Sequence, residues 1–152
     1  VLHPGWVAAT LEDYDGYKMC HYYFGVIFMK IMIVDDSPTI RNIEKNVLVQ
    51  LGYRNISEAG DGVEALSLMA LQMPDLFLVG WDMPNMDGLT LVRNIRAANP
   101  HVPIIMVTTG AEKSRVLKAV KAGVNNYVVK PFTAEVLSEK INQTLAKCGV
   151  AV

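Results

Sequence analysis

From residue 30 onward the chain alternates, five times over, a short run of apolar residues with a longer segment whose apolar residues recur every three or four positions. Ile31-Met32-Ile33-Val34, Leu76-Phe77-Leu78-Val79 and Ile104-Ile105-Met106-Val107 are apolar at every position. Such runs suit strands buried on both faces, and that requires a parallel sheet covered by helices on each side. Asn55-Ile56-Ser57-Glu58 is a weaker strand, and Tyr127-Val128-Val129 a short one.

The intervening segments read as amphipathic helices. Their stripes are Ile40, Ile43, Val47 and Leu51; Val63, Leu66 and Ala70; Leu91 and Ile95; Val116 and Val120; and Leu137, Ile141, Leu145 and Cys148. Ser37-Pro38 offers an N-cap and a proline at the first helical position. Gly52 and Gly123 stand where left-handed stops are expected. Five βα units are too few for an eight-stranded barrel. The expected fold is therefore α/β, an open doubly wound sheet with its functional rim at the C-terminal ends of the strands.

Composition narrows the classes. Of 152 residues, 51% are hydrophobic and 19% charged, enough to bury a full core and to exclude general disorder. Lys plus Arg number 14 against 15 acids, so no basic nucleic-acid footprint is expected. Cys20 and Cys148 are too few for a disulfide scaffold. The apolar stretch from Tyr22 to Val34 is broken by Lys30 and too short to span a bilayer, and it lacks the features of a signal peptide. The expectation is a cytoplasmic protein with no membrane partner.

Residues 1–29 differ in character. They carry Trp6, Tyr14, Tyr17, Tyr22, Tyr23, Phe24 and Phe28 with no defensible period. We expect residues 30–150 to form the domain, with Met29 as its natural start. The preceding arm reads as an upstream remnant, or as a partner-binding segment that would mediate association of an otherwise monomeric protein.

Polar residues gather where the strands end. Strand one runs into Asp35-Asp36, strand three into Gly80-Trp81-Asp82, strand four into Thr108-Thr109 and strand five into Lys130-Pro131. Adjacent carboxylates repel unless a cation or proton lies between them. Hard oxygen ligands at a wet rim suit magnesium. Lysine and threonine there are suited to hold a phosphoryl oxygen. His3, His21 and His101 show no ligand spacing, and Met83 and Met86 read as loop-shaping residues.

These residues carry a family resemblance. Ile33-Val34-Asp35-Asp36-Ser37, Asp61-Gly62-Val63-Glu64-Ala65-Leu66, Trp81-Asp82-Met83-Pro84-Asn85-Met86-Asp87-Gly88, Val107-Thr108 and Tyr127-Val128-Val129-Lys130-Pro131-Phe132 occur in order and at family spacing. In these motifs the chain resembles a response-regulator receiver domain, nearest to the single-domain chemotaxis type. The resemblance implies a flavodoxin-like sheet in the order 2-1-3-4-5 and a cis Lys130-Pro131 bond. It implies magnesium at Asp35, Asp36 and the backbone carbonyl of Asp82, with Thr108 and Lys130 contacting the phosphoryl group. Tyr127 corresponds to an aromatic that turns inward on activation. The resemblance implies a partner face beside it that carries Lys113 and Lys140. Implied partners are a histidine kinase and the flagellar motor switch or another output protein.

One position departs from the pattern. The family's phosphoacceptor aspartate falls four residues before Pro84, and Gly80 stands there. Glycine has no nucleophile, so no acyl phosphate can form on it. Asp82 reads as a loop acid near the cation rather than a substitute acceptor. The leading expectation is thus a signalling module that binds magnesium in weakened form, cannot be phosphorylated at residue 80, and is not an enzyme. Lys130, without its carboxylate partner, is expected to turn to Asp35 or Asp36 or to swing into solvent. Two other classes compete: a magnesium-dependent phosphatase or phosphotransferase using the same acidic rim, and a phosphorylation-independent assembly module using the aromatic arm.

Overall fold

The computed structural model describes residues 28–110 and 112–148. The reading of residues 1–29 as an arm falls outside them, except for Phe28, half-exposed, and Met29, buried in the core.

Strands and helices alternate without exception: β1 (Lys30–Val34), α1 (Pro38–Gln50), β2 (Asn55–Ala59), α2 (Gly62–Leu71), β3 (Leu76–Gly80), α3 (Gly88–Ala98), β4 (Ile104–Thr108), α4 (Lys113–Ala122), β5 (Asn126–Val129) and α5 (Ala134–Lys147). The five strands form one parallel sheet in the order β2-β1-β3-β4-β5. Alternate residues of each strand feed opposite faces. Ile31, Ile33, Leu76, Leu78, Ile105, Val107 and Val128 pack with α1 and α5. Met32, Val34, Phe77, Val79, Ile104 and Met106 pack with α2, α3 and α4.

Local signals end the helices as expected. The Ser37 hydroxyl accepts the Ile40 N–H, with Pro38 opening α1. Gly52 and Gly123 both have positive φ, at 99° and 113°. The Lys130–Pro131 peptide is cis.

The helix faces correct the sequence reading in three places. α1 turns Glu44, Val47 and Leu48 inward and leaves Ile43 43% exposed. In α2 the buried residues are Gly62 and Ala65, while Val63 is half-exposed and Ala70 exposed. In α4 it is Ala119, while Val120 is 58% exposed. In α2 and α4 small residues let the helix sit close to the sheet, so a stripe of large apolar residues is a poor guide to their inner face.

Candidate functional site

Register places the rim. Val34 pairs with Val79 across β1 and β3, so the next residues, Asp35 and Gly80, leave the sheet side by side. Gly80 pairs with Val107 on β4, and Thr108 with Val129 on β5. The Lys130 N–H donates to the Thr108 carbonyl at 2.8 Å. Asp35, Gly80, Thr108 and Lys130 therefore converge from four different strands.

The loop after β3 is held from both sides. The Gly88 N–H donates to the Trp81 carbonyl at 2.7 Å. A Cβ at residue 88 would collide with the Gly80 carbonyl, so only glycine permits the return of this loop. Asn85, at φ 66°, donates its side-chain amide to Asp61 Oδ2 at 2.7 Å. Asp61 also caps α2 through the Glu64 N–H, and these bonds hold its carboxyl below the ordinary range.

At the floor of the rim, Asp35 is buried. Its Oδ1 accepts the Ser37 N–H at 2.9 Å, and its Oδ2 takes the Lys130 ammonium at 2.6 Å across 95 residues of sequence. The pair lies against the missing side chain at residue 80: a Cβ there would lie 2.9 Å from Asp35 Oδ2, so a side chain would contest this position. The Asp35 carboxylate is the counter-ion of Lys130. Of the three alternatives for Lys130, the structure shows the first. Asp36 is exposed.

Beneath the pair sits Glu44, 1% exposed, with Oε2 lacking any hydrogen-bond partner. Burial and then the Asp35 charge push its carboxyl up to about 8, against smaller pulls from Lys130 and Arg41. Sequence reasoning missed it. The signal was an acid at i+4 from Ile40 and three before Val47, on the face that a stripe 40-44-47-51 would bury.

At the mouth, Arg115 meets Asp82 Oδ2 at 3.3 Å and the buried Thr108 hydroxyl at 3.4 Å. Its guanidinium carbon lies 4.1 Å from the centroid of the Trp81 ring. The Tyr127 hydroxyl donates to the Gly110 carbonyl. Burial raises the pKa of that phenol, and the neighbouring Arg115 pulls the other way. Sequence reasoning missed Arg115 as well. Its signal was a cation in the first turn of α4, where the helix dipole disfavours one. Lys113 is exposed at the start of α4, and Lys140 half-buried on α5.

The donors fit magnesium in kind. Asp35 and Asp36 are hard oxygen ligands of the sort the ion accepts in ones and twos. Asp36 is exposed at the rim, whereas Asp35 already engages Lys130 and the Ser37 N–H. Among the described residues there is no cluster of three or more side chains placed to hold a metal. Nor is any helix among them long and apolar enough to cross a membrane.

A doubly wound parallel sheet with acids, a hydroxyl and a lysine at one rim is the arrangement expected of a signalling receiver. The profile of the response regulator receiver domain matches residues 31–142, and the chain belongs to that family. Chemotaxis protein CheY1 of Helicobacter pylori is 50% identical over 120 residues, covering 77% of this chain and 97% of that one. Chemotaxis protein CheY of Pseudomonas aeruginosa is 48% identical over 117 residues, covering 76% and 94%. Among solved structures, a CheY-like receiver domain of Methanospirillum hungatei superposes with a TM-score of 0.74 at 29% identity, covering 80% of this chain and 96% of that one. Vibrio cholerae CheY4 gives 0.73 at 30%, covering 77% and 98%.

Proposed function

We propose that this chain is a chemotaxis-type receiver that signals by protein contact and takes no phosphoryl group at residue 80. The observation that carries the reading is the pairing of Lys130 with Asp35 over Gly80. The lysine that would meet a phosphoryl oxygen already has its anion, and the position that would carry the phosphoryl has no side chain. Residue 80 lacks the carboxylate oxygen that an acyl phosphate requires. The output surface is the face of α4, β5 and α5 bearing Lys113, Tyr127 and Lys140. Its partner is the flagellar switch or another output protein, and a histidine kinase is the upstream contact.

Asp35, Asp36 and the carbonyl of Asp82 are the groups that would hold magnesium. The ion, when bound, supplies positive charge that screens the acidic pair. Affinity is low because Lys130 competes for Asp35 and residue 80 contributes no charge. Asp35 orients Lys130, Ser37 orients Asp35, and Gly88 holds the backbone of residues 80 and 81 in place.

The test is incubation with radiolabelled acetyl phosphate and magnesium, alongside the Gly80→Asp protein. The parent stays unlabelled and the variant is labelled. Label on the parent, or steady hydrolysis of the donor by it, would end this reading. Titrating magnesium against Trp81 fluorescence should give tighter binding in the Gly80→Asp protein.

A further inference from the structure

Arg115 has no part in the roles assigned above, yet it is held by three partners of different kinds. Its plane covers the Trp81 ring, and Nη2 lies 3.3 Å from Asp82 and 3.4 Å from Thr108. The arrangement has two costs. A cation in the first turn opposes the helix dipole. The Arg115 Nε is buried with no acceptor.

Gly110 admits this approach. A Cβ at residue 110 would lie 2.6 Å from Arg115 Nε, 2.7 Å from its Cδ and 2.9 Å from Glu112 Oε2. Any other residue there would displace the arginine. The same glycine offers its carbonyl to the Tyr127 hydroxyl. One residue thus admits Arg115 by what it lacks and anchors Tyr127 by its backbone.

We infer that Arg115 is a positioning residue that holds Thr108 and Tyr127 in a single arrangement with no phosphoryl group present, and that Gly110 is what lets it do so. The inference rests on the reading of Thr108 and Tyr127 as the switching pair. A ligand shifts a two-state element only by binding one state better than the other. Arg115 can supply that difference from within the chain: its contacts with Trp81, Asp82 and Thr108 tie the start of α4 to the rim. Because it is tethered, it needs no donor and no ligand concentration. The output state of this receiver is then a property of its sequence rather than of its phosphorylation.

The experiment uses the full chain with Trp6→Phe, leaving Trp81 as the sole tryptophan. Tyrosines are labelled as 3-fluorotyrosine, and the Tyr127 resonance is assigned with Tyr127→Phe. In Arg115→Ala, acrylamide quenching of Trp81 should rise about twofold as the ring face is uncovered, and the Tyr127 resonance should move. Arg115→Gln, of similar length, should move both probes in the same direction. Gly110→Ala should reproduce the shifts by evicting the guanidinium, and should add nothing in the Arg115→Ala background. Unmoved probes in Arg115→Ala and Arg115→Gln, with the far-ultraviolet dichroism of the parent, overturn the inference. An undiminished Gly110→Ala effect in the absence of Arg115 does so too. The same probes in the Gly80→Asp protein, with acetyl phosphate and magnesium, test the reading beneath it. A Tyr127 resonance that ignores phosphorylation there defeats the switching assignment, while the Arg115 variants still decide the inference.

Discussion

The rim holds two ion pairs of similar chemistry and opposite setting. At the floor, Lys130 meets Asp35 at 2.6 Å, with side chains 18% and 2% exposed. At the mouth, Arg115 meets Asp82 at 3.3 Å, with side chains 30% and 71% exposed. Water screens the second pair and competes for both partners, so as a pair it contributes little to stability. The first has given up its hydration and depends on its partner and on the Ser37 N–H. Breaking the pair should therefore cost far more at the floor than at the mouth.

Removing Lys130 gives the largest expected effect. Lys130→Met leaves Asp35 buried and unpaired, which should cost about 3–5 kcal/mol in urea denaturation at neutral pH. A loss of the size expected for a surface pair would erase the contrast between floor and mouth.

Glu44 sharpens the comparison, because it is a buried acid without a lysine. Its carboxyl rises from 4.5 to about 8 on folding. The folded protein therefore keeps a proton that the unfolded chain has lost, and stability falls as pH climbs through that window. Glu44→Leu should be the more stable protein at pH 8, by roughly 2–4 kcal/mol, with the margin shrinking toward pH 5. A margin independent of pH would show that Glu44 does not titrate in this window.

Third in size is Gly80→Asp in EDTA. The new side chain must push the Asp35 carboxylate aside and add a like charge beside it. A loss of about 1–2 kcal/mol is expected, partly recovered in magnesium. A Gly80→Asp protein more stable than its parent in EDTA would show that the floor pair is not what the glycine makes possible.

The smallest effect belongs to the mouth. A double-mutant cycle on Arg115 and Asp82 should return a coupling of about 1 kcal/mol or less, falling further at high salt.

Much of the site was legible in the sequence because its residues follow apolar strands directly. Asp35, Gly80, Thr108 and Lys130 each occupy the strand's last position or the one after it, and parallel register alone brings such positions to one rim. Arg115 was not legible in this way. It lies inside a helix rather than at a strand end, and its reach depends on a glycine five residues earlier. Glu44 escaped for a related reason: α1 carries apolar residues on two sides, and of the stripe Ile40, Ile43, Val47 and Leu51 it is Ile43 that faces outward while Glu44 takes the inner position.

The sequence by itself determined the element order, the helix caps, the two-sided burial of the strands and the gap at residue 80, because each is set by neighbours within a few positions along the chain. Tertiary structure alone decided which residues α1, α2 and α4 turn inward and which anion each rim cation takes. Lys130 and Asp35 are 95 residues apart, and Arg115 and Asp82 are 33 apart. Whether such pairs form depends on the few ångströms by which packed helices and returning loops place them, and local sequence carries no record of those distances.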